Sequence, residues 1–286
     1  MAPLVDVDPA LRAAFDVERN ARQDELFAKG MNSGMTGYEM AVAERKKALF
    51  ARLFECLPAD REATVVEVGM GTFPNAPYYF DPVTYDCALP YEMLGSSTLC
   101  RERRDAGGAI APTGRPLALD LVGIDPNDAM EDFARRNLAK ASGPPGGGTD
   151  AGGASSPATT ATLRIAHGVA EALPLESASA DAVVCTLTLC SVADPARAVA
   201  EIRRVLKPGA PFVFVEHVLS EDDPKLAAQQ ISLNSLQVAM ADGCHLDRKT
   251  LDVIEAAGFA SFEAVERFTL PGFGLISSQV SGIAFA

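Results

Sequence analysis

Residues 64–75 read TVVEVGMGTFPN, and this stretch limits the chain to a small set of folds. Thr64, Val65, Val66 and Val68 are β-branched and mostly apolar, the composition of a buried strand rather than of an amphipathic helix. The strand runs straight into Gly69-Met70-Gly71-Thr72. Two glycines two apart carry no Cβ, so the backbone there can turn sharply and approach a ligand closely. Glu67, just ahead of the first glycine, falls at the strand's carboxyl end, the edge where open α/β sheets bind ligands.

A dinucleotide fingerprint, G-x-G-x-x-G, carries a third glycine for close helix–strand packing beside a pyrophosphate. Here Gly69 and Gly71 are followed by Phe73-Pro74. The acidic residue ending the next strand, Asp125, also comes far beyond the ~20-residue spacing of that fingerprint. E-x-G-x-G followed by a strand ending in Asp instead resembles the class I S-adenosylmethionine-dependent methyltransferases. By itself the glycine pair fits a plain tight strand-to-helix turn as well.

With 286 residues, 48% of them hydrophobic, the chain can bury one substantial core. A net charge of −13 argues against a nucleic-acid partner, because phosphate-binding proteins usually present a basic face. There is no apolar run near the ~18 residues that cross a bilayer and no signal-peptide layout at the N-terminus. A soluble protein of the cytoplasm, or of an organelle such as a plastid or mitochondrion, is the expectation. Cys56, Cys87, Cys100, Cys185, Cys190 and Cys244 show no C-x-x-C spacing and read as reduced, mostly buried thiols.

Residues 8–30 are charged and predicted helical, and GMNSGMTG at 30–37 reads as a flexible break. Residues 1–37 are therefore expected to form an N-terminal extension, with the main domain over 38–286. Residues 38–57 place apolar side chains at helical spacing, with Glu44, Arg45, Lys46 and Lys47 on the other side. A helix placed before the first strand commonly covers the cleft in this fold class, so Tyr38 either lines the site or anchors the helix on the core. Residues 75–80 should rim the cleft. Residues 81–117 show no sustained period and read as an insertion, in preference to a functional lid. A strand over 117–124 ends in Asp125-Pro126-Asn127. Asp125 at such an end can accept hydrogen bonds from both ribose hydroxyls, and Asp125 or Asn127 can cap the helix at 128–140. Residues 142–160, rich in Gly, Pro, Ser and Thr, are expected to be a disordered loop.

A third strand is expected at 161–166 and a fourth, without polar alternation, at 182–186, placing Thr186 and residues 187–192 over the cleft. Asp194-Pro195 opens a helix that Lys207-Pro208-Gly209 ends. A fifth strand from Pro211 delivers Glu216 and His217 to the same edge. Helices at 226–241 and 250–257 and strands at 261–270 and 279–285 follow. The alternation gives an α/β fold, Rossmann-like, with a seven-stranded, mostly parallel sheet covered by helices on both faces and closed by a terminal hairpin.

The strings VVEVGMGT, VGIDPN, AEALP, DAVVCTLTLCSV, EIRRVLKPGAPFVFVEHV and DGCHLDRKTLDVIEAAGF follow one another across residues 36–286. Together they resemble the methyltransferase-like thiol S-methyltransferases with their plant and algal relatives, and more distantly the C-methyltransferases of quinone biosynthesis. The resemblance implies S-adenosylmethionine as cofactor, with Glu67, Gly69 and Gly71 at its methionine end. It places Asp125 on the ribose and Ala170 and Glu171 beside the adenine, with Pro126 and Thr186 completing the cofactor-binding set. Four features depart from the family: Phe73 replaces the usual glycine, the 81–117 insertion has no counterpart, the apolar N-terminal membrane anchor of the animal proteins is missing, and Val169 replaces an Asp found in quinone-type enzymes.

Methyl transfer is an in-line displacement in which positioning does most of the work. A thiol acceptor, with its pKa near ~8.5, needs little beyond ionisation, whereas an oxygen or carbon acceptor wants a positioned base. His217 is the leading candidate base, its alternative role being to fix the strand-to-helix turn; His245 is a weaker candidate, and only its residue type speaks for His167. Cys185, Cys190, Cys244 and His245 could form a soft-metal or arsenic(III) site, but strand cysteines are usually small core residues, and no metal is assigned. A methyltransferase of a small-molecule thiol is the leading expectation. C- or O-methylation of a quinone, phenol or other small metabolite comes second, and a non-catalytic assembly module of the same fold third.

Overall fold

The structure is a computed structural model that describes residues 2–80, 116–142 and 160–286. Nearly all of the 81–117 insertion and of the 142–160 loop lies outside the described residues.

Seven strands form one sheet: β1 (Ala63–Val68), β2 (Ala118–Asp125), β3 (Thr160–His167), β4 (Ala182–Thr186), β5 (Pro211–His217), β6 (Ser261–Thr269) and β7 (Ser278–Phe285). Their order is β3-β2-β1-β4-β5-β7-β6, with β7 antiparallel to both its neighbours and the other pairings parallel. The helices are α1 (Pro9–Phe15), α2 (Ala21–Gly34), α3 (Thr36–Cys56), α4 (Ala76–Phe80), α5 (Glu131–Ser142), α6 (Pro195–Val205), α7 (Pro224–Met240) and α8 (Thr250–Ala256).

All six residues of β1 are buried, as its apolar run requires of a strand covered on both faces. Strand alternation divides the core between those faces. Val66 and Val68 pack with Ile202, Phe212 and Ile254 on one side. Val65 packs with Phe50, Phe54 and Tyr79 on the other. In register, Val68 lies opposite Ile124 of β2 and Cys185 of β4, so the carboxyl ends of the central strands are level. The chain leaves β1 toward β3 and returns on the other side at β4. The crevice at that reversal is where such sheets bind ligands.

Two local expectations are corrected. The glycines at 30–37 do not break the chain: α2 runs through Gly34 and α3 starts at Thr36, with Met35 alone between them. Lys46 is not on a solvated face but buried, its Nζ donating to both carboxylate oxygens of Glu39 at 2.8 and 3.0 Å. The Tyr78 ring of α4, 6.0 Å from Nζ, covers this side of α3. Phe73, which stands where the family has a glycine, is fully buried and packs on Tyr79, ring centroids 5.8 Å apart.

Phe73 has φ +61°, the left-handed region that favours glycine. That conformation costs about 1–2 kcal/mol for a residue with a Cβ, which burial of the ring offsets. Phe73→Gly is therefore expected to destabilise the protein by roughly 2–4 kcal/mol in urea unfolding, the lost ring outweighing the relieved strain. A stabilised variant would show that the ring adds nothing.

Candidate active site

The turn after β1 is set by three backbone groups. Gly69 and Met70 N–H both donate to Ile124 O, at 2.8 and 3.2 Å, folding the turn over the end of β2. Gly69 has φ +64°, and a Cβ there would fall 2.2 Å from Thr188 Oγ1, so the position admits no side chain. Gly71, at φ +55°, donates its N–H to Asp125 Oδ2 at 2.8 Å. Asp125 Oδ1 accepts from Asn127 N–H, also at 2.8 Å, and Asn127 in turn caps the short helical turn that precedes α5. Burial pushes the Asp125 carboxyl up to about 6, against these two hydrogen bonds.

A cavity of about 510 Å³ lies over this edge. Of the eight cofactor-binding candidates, Gly69, Gly71, Asp125, Pro126, Ala170, Glu171 and Thr186 line it. Glu67 does not. Its Oε1 accepts from Tyr79 Oη at 2.6 Å and its Oε2 from Asn75 Nδ2 at 3.1 Å, so it braces the glycine turn from beneath. Burial pushes its carboxyl up to about 7. Glu171 Oε1 accepts from Ala193 and Asp194 N–H at 2.6 and 3.0 Å, fixing the entry to α6.

Neither Tyr38 nor His217 lines the cavity. Tyr38 is buried against Phe273 and donates its hydroxyl to Gln279 Oε1 at 3.0 Å, the anchoring role. His217 is buried with Nε2 3.1 Å from Cys244 Sγ. The turn after β4 folds over the end of β5 and covers it. Leu187 N–H donates to Val215 O at 2.9 Å, and Thr188 and Leu189 N–H donate to Glu216 Oε1 at 3.0 and 3.1 Å. Burial pushes the Glu216 carboxyl up to about 7.

The roof was not anticipated. Phe27 and Met31 of α2, Met35 beyond it, and Phe15 of α1 line the cavity, as do Asp242, Gly243 and His245 from the turn after α7. Arg19 ties the two parts together, with Nη2 2.7 Å from Asp24 Oδ1 and 2.8 Å from Asp242 Oδ1. The signal was present as Phe27, Met31 and Met35 at four-residue spacing, one face of a helix.

Among the described residues, Asp16, Glu39, Asp125, Glu171 and Asp242 give the cavity five carboxyl groups against one arginine. Such a lining suits a cationic ligand with ribose-like hydroxyls and opposes a pyrophosphate. A Rossmann-like sheet, a glycine turn without phosphate-binding cations and an acidic residue ending β2 define the class I methyltransferase architecture.

The methyltransferase-domain family matches residues 106–214. The methyltransferase YcgJ of Bacillus subtilis is 30% identical over 206 residues, 69% of this chain and 73% of that protein. Thiol S-methyltransferase TMT1B of Rattus norvegicus is 26% identical over 219 residues, covering 77% of this chain and 69% of that one. The human TMT1A thiol S-methyltransferase is 26% identical over 226 residues, 79% and 72% of the two chains. The crystal structure of YcgJ superposes with a TM-score of 0.51 at 14% identity, over 84% of this chain and 97% of that one. A complex of the Haloferax volcanii Trm112 methyltransferase activator with a methyltransferase matches at 0.53 and 17% identity, over 94% and 99%. The chain belongs to the S-adenosylmethionine-dependent methyltransferases. Among the described residues no helix is long and apolar enough to cross a membrane.

Gly69→Ala is expected to displace Thr188 and distort the turn, weakening S-adenosylmethionine binding at least tenfold in calorimetric titration. Undiminished affinity would show that the turn tolerates a Cβ.

Proposed function

We propose that the enzyme methylates the sulfur of a small, largely apolar thiol, and that His245 takes the thiol proton. The observation that carries this reading is the composition of the cavity. Its roof is apolar, built from Phe27, Met31, Met35 and Leu187, and the one imidazole in its lining is His245. His217, the leading candidate base from sequence, is outside the lining, as is Tyr38, which favours an acceptor that ionises readily. The names of the thiol S-methyltransferase relatives point the same way.

Bound in this cavity, S-adenosylmethionine supplies an electrophilic methyl group on a sulfonium sulfur. On this reading the turn at Gly69 and Gly71 holds its methionine end, Asp125 accepts from the ribose hydroxyls, and Ala170 with the remaining oxygen of Glu171 flanks the adenine. Thr186, its Oγ1 3.2 Å from Asn75 Nδ2, is part of the floor below. His245 Nδ1 lies 3.4 Å from Asn234 Nδ2 and 3.7 Å from Asp247 Oδ1, and the tautomer with Nδ1–H toward the Asp247 carboxylate leaves the lone pair of Nε2 for the acceptor's proton. The thiol S–H proton would pass to that nitrogen, leaving a thiolate as nucleophile for the methyl group that bound S-adenosylmethionine would supply. The apolar roof keeps water from the thiolate.

Ribose hydroxyls need an ionised Asp125. Affinity for S-adenosylmethionine should therefore rise as pH rises through about 6, falling roughly tenfold between pH 8 and pH 5. Asp125→Asn should bind weakly with no such step, and a pH-independent wild-type affinity would remove Asp125 from the site.

The acceptor is tested by supplying labelled S-adenosylmethionine with matched small thiols, phenols and quinones. Methylated thiols should dominate, and His245→Gln should shift the pH–rate profile toward the free thiol's pKa while leaving cofactor affinity within about twofold. Preferred turnover of a phenol or quinone would overturn the thiol reading.

A further inference from the structure

Behind the turn that follows β4, and outside the cavity lining, three soft donors meet. The sulfur atoms of Cys190 and Cys244 and a ring nitrogen of His217 lie within 4.8 Å of one another. They arrive on three separate elements: the turn after β4, the end of β5 and the turn after α7. This is not the set the sequence suggested. Cys185 points from β4 into the core beside Glu216, and His245 points into the cavity.

The three segments are joined by contacts that do not involve the donors' side chains. His245 N–H donates to Cys190 O at 2.8 Å, and Arg248 Nη1 donates to Leu189 O at 2.6 Å. Gly243 passes so close that a Cβ there would meet Ser191 O at 3.1 Å. Leu189 N–H is held by Glu216. The donors are therefore brought together by the fold itself.

Two sulfurs and one imidazole form a set that hard, oxygen-preferring cations do not favour and that soft or borderline ions do. Around zinc, with Zn–S near 2.3 Å and Zn–N near 2.0–2.1 Å, ligand atoms lie roughly 3.5–3.8 Å apart, within the compass of this triad. His217 Nδ1 is buried without a partner among the described residues, so the ring lacks there the outer hydrogen bond that usually strengthens a metal histidine.

We propose that Cys190, His217 and Cys244 bind a soft divalent cation of the zinc class, with one coordination position left to a non-protein ligand. The site is separate from the methyl-donor cavity but shares its wall, because Ser191, Gly243 and His245, the sequence neighbours of two ligands, line that cavity. The proposal does not rest on the identity of the methyl acceptor. The missing outer contact places the affinity below that of closed structural zinc sites by roughly 10–100-fold.

The test uses the full chain, reduced and stripped with a chelator, with Co(II) as probe and Zn(II) as competitor. One equivalent of Co(II) should bind with sulfur-to-cobalt charge transfer and intense tetrahedral bands, and Zn(II) should bleach both. Cys244→Ser and His217→Gln should each weaken Zn(II) binding at least tenfold, while Cys56→Ser leaves it unchanged. Co(II) bound without thiolate charge transfer, or affinity retained in both site variants, would overturn the proposal. Should a variant fail to fold, the 113Cd resonance of the wild-type protein still decides: a shift for two sulfurs with nitrogen supports the site, and one for oxygen-rich or four-sulfur ligation refutes it.

Discussion

The active edge depends on one close approach, that of Gly69 to Thr188. Thr188 Oγ1 is 3.3 Å from Val68 O and 3.4 Å from Gly69 O, within donating distance of both. Ile124 O accepts from the other side of the same turn. The ends of β1, β2 and β4 are thereby locked to one another through backbone atoms and the Thr188 hydroxyl. Everything that faces the ligand follows from this lock, because it brings Gly71 N–H onto Asp125 and aligns the cavity floor. Glycine is required at 69 by the space available as much as by its φ.

Buried carboxyl groups surround that floor, and their environments pull in opposite directions. Glu67, Asp125 and Glu216 are pushed up to about 7, 6 and 7 by burial. The folded state therefore holds their protons more tightly than the unfolded chain. Their favourable contribution is complete below pH ~4 and is lost as pH rises through about 6–7. Asp181 behaves inversely. Against partial burial, Arg61, Lys207 and the Thr64 N–H hold it down to about 2, so its contribution is present above the ordinary carboxylate range and is lost as pH falls through about 2. The first three lie beneath or within the cationic-ligand site, whereas Asp181 precedes β4, away from that edge. A cationic ligand favours the ionised carboxylates near it, and the protein forgoes stability at neutral pH to keep them there.

The strands were legible because each is a short apolar run with its own boundaries, and the glycine turn because its residue types have few other uses. The roof was not. Three glycines between 30 and 37 each lower helix propensity by about 1 kcal/mol, a local signal that packing of Phe27, Met31 and Met35 over the cavity overrides. Lys46 was misplaced because helical spacing around α3 says nothing of the second layer that Tyr78 supplies. His217 was sent to the cleft because strand ends usually open there, and Tyr38 was left between cleft and core because a helix ahead of the first strand commonly covers that edge. Here Leu187 takes φ +52°, a left-handed turn no residue type announces, and the chain doubles back over Glu216 and His217. The same turn carries Cys190 beside His217 and Cys244, a meeting with no signature in sequence spacing.

The floor and the roof are held by forces of different strength. Backbone hydrogen bonds and buried carboxylates fix the floor, and breaking them strands buried donors at about 1–3 kcal/mol each. His167 with Asp16 and Asn127 with the carbonyl of Asp24 join α1 and α2 to the ends of β2 and β3. On the side of the turn after α7, in contrast, the roof is joined by Arg19, whose side chain and that of Asp242 are 22% and 33% exposed. Pairs as exposed as this contribute about 0–1 kcal/mol. Parting α1 and α2 from the turn after α7 therefore costs less than breaking the glycine turn, where buried backbone donors would be stranded. On the proposed reading the acceptor enters on this side, past Arg19, while the cofactor's seat stays in place, and Phe27, Met31 and Met35 select it.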